Sequence, residues 1–250
     1  MAAEGSYTSI PQRPDGSFAT THWSVVQAAG DTHTTARAQA LEQLCSEYWY
    51  PLYAFLRHRG YSHEDAADLT QGLFEKILQG GFFRNADPAK GRFRSFLLGA
   101  LKHYLADERD RTQASKRGGG RILSSWDGEF AEDRYAIESS RLHTPDIQYD
   151  RSWAIMMLER VVERVRSEYA GAGKAALFDA LKLSLWGNQE EKSYSALAHR
   201  LNTTEAALKM AASRLRRRCR EVLRRQVSET VSHPEDIEDE LRYIISVLRS

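Results

Sequence analysis

The chain has 250 residues, 42% of them hydrophobic and 28% charged, with a formal net charge of +1, the balance of a soluble globular protein with one large or two small domains. No apolar run approaches the ~20 residues of a membrane span, and the N-terminus lacks the basic start and apolar core of a signal peptide. Two cysteines, Cys45 and Cys219, stand far apart with no metal-ligand spacing, which excludes a disulfide scaffold and predicts free thiols in a reducing cytoplasm.

Charge is unevenly distributed. Basic residues gather in 92–121 and 209–225, and acids dominate 127–150 and 229–240. This alternation predicts two basic working surfaces separated and followed by acidic segments.

In chain order, residues 1–37 form a polar arm with Pro11, Pro14 and Gly16, although Phe18, Trp23, Val25 and Val26 are suited to docking. Leu41, Leu44, Tyr48, Trp49, Leu52, Tyr53 and Leu56 then recur at helical spacing. Pro51 is a candidate kink, and Gly60 ends the helix. Ser62 caps a second helix, with Asp65 placed as in a capping box and Ala66, Leu69, Leu73 and Ile77 as its apolar stripe. After the loop GGFFRNADPAKG, a third helix runs from Arg92 to Arg111 around Phe93, Phe96, Leu97, Ala100, Leu101, Tyr104 and Leu105. The glycine-rich SKRGGGR breaks it. Residues 118–150 are acidic and weakly periodic, which predicts a flexible linker. Helix resumes at Trp153, is interrupted at Gly171 and Gly173, and continues through Leu177, Phe178, Leu181 and Leu185. No alternating strand pattern of useful length occurs. The expectation is an all-α chain of two small helical domains, 38–117 and 151–228, joined by that acidic linker and followed by an acidic C-terminal helix at 229–250.

The stretch YSALAHRLNTTEAALKMAAS, from Tyr194 to Ser213, has the pattern of a helix-turn-helix. Leu197, Ala198 and Leu201 form the inner face of the first helix, with Ala198 small where the helices approach. Asn202 tolerates the left-handed turn, and Thr203 or Thr204 caps the second helix. Leu208, Ala211, Leu215, Cys219, Val222 and Leu223 make its inner stripe. Projection at about 100° per residue puts Ala206, Met210, Ser213, Arg217, Arg220 and Arg224 opposite, flanked by Lys209 and Arg214. Small residues near the N-terminus admit a helix to a DNA groove, polar ones read bases, and arginines further along hold phosphates.

The first domain carries two further surfaces. GRFRSFLLGALKHYLADERDRTQASKR combines aromatics with Arg92, Arg94, Lys102 and Arg109. Aromatic faces stack on unpaired bases at about 1–3 kcal/mol each while basic groups hold the backbone, so this segment suits single-stranded DNA. Phe96 and Tyr104 belong in the core, and the loop residues Phe82, Phe83, Arg84 and Asn85 are the better base contacts. On the preceding helix, Glu64, Asp68, Gln71, Gly72 and Glu75 lie opposite the apolar stripe, an acidic and amide-bearing face suited to a protein partner.

At this point the residues resemble a family. EDAADLTQGLFEKIL is similar to the region-two signature of sigma-70-type RNA polymerase sigma factors, GRFRSFLLGALKHYLADERDR resembles the segment that opens and reads the promoter −10 element, and SYSALAHRLNTTEAALKMAASRLRRRCREVL resembles region four, which reads the −35 element. The resemblance covers roughly 38–225, in the family's order, and points to the small extracytoplasmic-function group. It implies promoter DNA and core RNA polymerase as partners, the latter through its β′ clamp and β flap, with no membrane partner, cofactor, metal or catalytic residue. Asp65, Asp68, Gln71 and Glu75 match the clamp-docking positions. Phe83, Arg84, Asn85 and Asp87 match the loop that captures a flipped −10 base, supported by Arg92, Arg94, Lys102 and Arg109. Thr204, Ala206, Lys209, Met210, Ser213, Arg214 and Arg217 match the −35-reading face. The linker's acids would mimic RNA in the polymerase channels.

Ala67 and Gly72 stand where the family usually has acids, and Thr70 where it has an apolar residue. An anti-sigma factor or a kinase acting on Thr70 are candidate regulators, although Thr70 projects to the buried side. The tail HPEDIEDELRYIISVLRS predicts a helix with Pro234 in its first turn, acids at its N-terminus and Ile237, Leu241, Ile244, Ile245 and Leu248 on one face. Its acids suit screening of the arginine-rich helix. The competing function is a stand-alone helix-turn-helix regulator that binds duplex DNA without polymerase. An enzyme finds little support: no histidine follows a glutamate by three residues, and GGGR does not follow a strand.

Overall fold

The computed structural model describes residues 35–78, 92–114, 128–139, 143–185 and 191–249. The fold is all-α, with nine α-helices and no strand among the described residues. They are α1 (Thr35–His58), α2 (His63–Leu78), α3 (Phe93–Ala114), α4 (Gly128–Glu138), α5 (Pro145–Gly171), α6 (Ala175–Leu181), α7 (Glu191–Arg200), α8 (Glu205–Ser228) and α9 (Ile237–Arg249). Short 3₁₀ turns occupy Lys182–Leu185 and Pro234–Asp236. No described helix is long and apolar enough to cross a membrane.

Several boundaries follow local chemistry, two as expected and one, the start of α5, earlier than the expected Trp153. Helix α1 runs through Pro51 to His58, and Gly60, at φ +89°, turns the chain in the left-handed region where a Cβ would be strained. The Ser62 hydroxyl accepts from the Asp65 amide at 3.0 Å, capping α2. Thr144 caps α5 ahead of Pro145 by accepting from the Ile147 amide at 3.3 Å.

Two apolar cores result. Tyr48, Leu52, Tyr53, Phe55 and Leu56 of α1 pack on Leu73 and Ile77 of α2, on Phe93, Leu97 and Leu101 of α3, and on Tyr149, Trp153 and Met157 of α5. The second core joins Val161 and Val165 of α5 to Phe178, Leu181, Tyr194, Leu197, Leu208, Ala212 and Leu215. Helix α5 therefore serves both, its first half in one core and its second half in the other.

The acidic segment departs from the flexible linker expected at 118–150. Residues 128–138 form α4 and residues 145–150 open α5. Burial of Ala131 and a set of ionic clasps hold α4 against the first core. The Glu132 carboxylate takes both Arg57 Nε at 2.8 Å and Nη2 at 2.5 Å, and also accepts from the Tyr53 hydroxyl. Glu138 accepts from Tyr50 at 3.1 Å and from Arg134 Nε at 2.6 Å. Weak apolar periodicity hid this helix because inward-facing acids, not aliphatic side chains, make most of its contacts.

The tail forms the expected helix, with Leu241 and Leu248 packed against the first core; its inner face is shifted at one expected position. Helix α9 buries Ile237, Glu240, Ile244 and Val247, whereas Ile245 is half exposed. It packs on α5 and α8, with Ile237, Ile244 and Val247 joining the first core.

Candidate nucleic-acid interface

Helices α7 and α8 build the helix-turn-helix. Buried Leu197 and Ala198 meet Leu208, Ala211, Ala212 and Leu215, so the two helices are clamped by small and aliphatic groups. Asn202 has φ 48°, the only positive-φ residue other than glycine among the described residues. That turn lets the Thr203 amide reach the Ala198 carbonyl at 3.0 Å. Thr204 is extended, and its hydroxyl accepts from the Ala207 amide at 3.2 Å, starting α8.

Arginines on α8 divide by role. Arg218 forks onto Glu168 of α5 at 2.8 and 2.9 Å, and Arg216 donates to the Ser184 carbonyl at 3.4 Å; both fasten α8 to its neighbours in the second core. The Arg218 hydrogen bonds hold the Glu168 carboxyl below the usual carboxylate range. Burial pushes the Cys219 thiol up to about 11, leaving it protonated and inert at neutral pH. In contrast, Thr204, Ala206, Lys209, Met210, Ser213, Arg214 and Arg217 are all exposed, and Met210 exposes 62% of its surface. All seven expected −35 residues are therefore exposed to solvent, from the Thr204 cap through Arg217 of α8. Arg217 pairs with Glu221 at 3.6 Å, an exposed pair of little strength. A cleft of about 420 Å³ opens beside this face, and Lys174, Arg214 and Arg217 are among its lining residues.

On α2, Asp65 and Asp68 are exposed, while Gln71 and Glu75 are half-buried and bonded to each other at 3.5 Å. Thr70 is fully buried, and its hydroxyl donates to the Ala66 carbonyl at 2.7 Å. Gly72 faces α3 so closely that a Cβ there would overlap the Tyr104 hydroxyl.

The expected −10 residues are less uniform. Phe83, Arg84, Asn85 and Asp87 lie outside the described residues. Lys102 is exposed and pairs with Asp146 at 2.5 Å, and Arg109 is exposed and donates to the Tyr61 hydroxyl at 3.3 Å. Arg92 is 33% exposed, but Arg94 is only 3% exposed, a departure from the expected DNA contact. The cause is α9, whose Glu240 pairs with both arginines. Sequence reasoning missed this cluster of Arg94, Asp150, Trp153, Glu240 and Tyr243. Its one sequence signal is a carboxylate at 240 among the apolar positions of an amphipathic helix.

Comparisons with family models, curated proteins and solved structures find no match to this chain. Among the described residues, no group of three or more histidines, cysteines and carboxylates is placed to hold a metal ion.

Proposed function

We propose that this chain is a cytoplasmic RNA polymerase sigma factor of the extracytoplasmic-function type. It binds core polymerase, reads the −35 and −10 promoter elements and promotes DNA melting. The observation that carries this reading is the outward row Ala206, Met210, Ser213 and Arg217 on a capped α8, with small groups at the entry end and arginine further along. Such a helix fits a major groove at its N-terminal end, where its dipole also favours phosphate.

In the proposed mechanism, the acidic face of α2 docks on the polymerase β′ clamp through Asp65, Asp68, Gln71 and Glu75. The second domain, bearing α8, sits against the β flap and places α8 on the −35 duplex. Phe83, Arg84, Asn85 and Asp87, with Arg92, Lys102 and Arg109, then trap opened −10 bases and their backbone. Binding energy drives melting, and no covalent step belongs to this chain. A kinase acting on Thr70 is not part of the reading, because the buried hydroxyl is already spent on the Ala66 carbonyl.

The reading is tested by transcription in vitro, with purified bacterial core polymerase, this chain and fragments of the source genome. Defined transcripts that appear only when the chain is added are expected. Tight duplex binding by the chain alone, with no transcript, would instead favour the stand-alone regulator.

A further inference from the structure

Helix α9 follows Glu235 and Asp236 with Glu238, Asp239 and Glu240, yet Glu240 alone among these is fully buried. A carboxylate out of water is costly unless cations surround it. Its cations come from the start of α3: Arg92 Nε lies 2.7 Å from one carboxylate oxygen, and Arg94 Nη1 pairs with the other. Arg94 is itself held between two rings, 4.7 Å from Trp153 and 4.6 Å from Tyr243, while its Nε donates to Asp150 at 2.9 Å. Arg92 lies over the same Tyr243 ring at 5.3 Å. At the far end of α9, Arg151 Nη1 donates to the carbonyls of Val247 and Leu248, both at 3.1 Å, capping groups that a helix end otherwise leaves open.

Two guanidinium groups converging on two anionic oxygens form the geometry that also takes a phosphodiester. With α9 docked, Arg92 and Arg94 are balanced by Glu240 and Asp150. With α9 lifted, Asp150 remains as an acid partner of Arg94, and the pair becomes an open cationic site edged by the Trp153 ring. An ionic anchor suits such a contact, because a buried ion pair fastens no better than a well-packed apolar group of similar size.

We propose that Glu240 is a built-in phosphate mimic: α9 closes an anion site made by Arg92 and Arg94, and this site takes the backbone of single-stranded promoter DNA once α9 undocks. The proposal rests on the sigma-factor reading and adds regulation to its −10 surface. The tail masks the start of α3 rather than the N-terminal face of α8; Glu238 pairs with Arg224 further along that helix.

The test measures binding of a fluorescent single-stranded oligonucleotide of mixed sequence to the full chain at low salt, with hydrogen exchange reporting whether α9 is docked. Glu240→Gln removes the mimic with little change of shape. Arg151→Ala loosens the far end while removing a positive charge, and Ile244→Asp breaks the apolar contact while adding a negative one. A rise in the last two therefore cannot come from simple charge. Each should bind about tenfold more tightly than the unaltered chain, and Asp239→Asn, the same charge change on an exposed residue, should not. Adding Arg92→Ala to Glu240→Gln should abolish the gain. Unchanged affinity in Glu240→Gln, Arg151→Ala and Ile244→Asp would overturn the gate. Co-elution of the same proteins with core polymerase separates the two claims. Core binding without a gain in oligonucleotide affinity overturns the gate and leaves the sigma reading. Failure of every variant to bind core removes the promoter role on which the proposal rests.

Discussion

At Gly72, α2 and α3 approach until only a hydrogen fits, because the Tyr104 ring, 9% exposed, has its hydroxyl against the glycine. Gly72→Ala gains about 1 kcal/mol of helix propensity but meets an overpacking cost of about 1–3 kcal/mol. It should therefore be neutral to destabilising in the native background and stabilising beside Tyr104→Phe. A urea-denaturation double-mutant cycle checks the sign of the coupling. This gives a physical reason for glycine at 72: a longer side chain would have to displace a buried tyrosine. Arg217 is the matching test on α8. Arg217→Ala should weaken duplex binding across sequences and lower the salt slope by about one phosphate's worth. Anisotropy titrations over a range of salt measure it, and an unchanged slope would remove Arg217 from the phosphate contacts.

At the scale of the element, α4 is clasped by two acids that respond to pH in opposite senses. Hydrogen bonds from Arg57 hold the Glu132 carboxyl below the usual range. Its stabilising effect is therefore complete above the unfolded carboxyl pKa of about 4.3 and is lost as pH falls through the lower folded value. Burial raises the Glu138 carboxyl, so its contribution is fullest at low pH and is lost as pH rises through the folded value. Glu132→Gln should cost about 1 kcal/mol at neutral pH, a deficit that closes in acid. Glu138→Gln should cost little or nothing at neutral pH, and denaturation at both extremes distinguishes the two. The contrast also explains what could be read in advance. Helices α1, α2, α3, α7 and α8 carry regular aliphatic or aromatic stripes and clear stops such as Gly60 and Asn202, so their existence and most of their boundaries were legible. Helix α4 was not, because beside the small Ala131 its inner face carries Glu132, Tyr135 and Glu138, whose value depends on Arg57, Tyr53 and Tyr50 far away in the chain. The exposed row on α8 was legible from projection. Burial of Arg94 was not, since a basic residue beside an aromatic looks the same in sequence whether its anion is a phosphate or Glu240.

For the whole molecule, α5 carries Trp153 and Met157 into one core and Val161 and Val165 into the other. The two cores should therefore unfold together. Glu159, exposed and lying between them, is the place to uncouple them. Glu159→Pro costs about 3 kcal/mol or more in a helix interior and should split one calorimetric transition into two; a single transition in the variant would show that the cores communicate through other contacts. The same continuity means that α2, α8 and the tail-covered start of α3 are carried on one connected scaffold, so the proposed docking at α2 and the position of the tail are open to coupling. The proposed function stands or falls on association with polymerase. The most direct measurement is the affinity of the labelled full chain for bacterial core polymerase, compared with that of Asp68→Ala. Saturable binding, weakened by about tenfold or more in the variant, is the predicted result; no binding of the unaltered chain, with duplex DNA bound tightly by the chain alone, would contradict it.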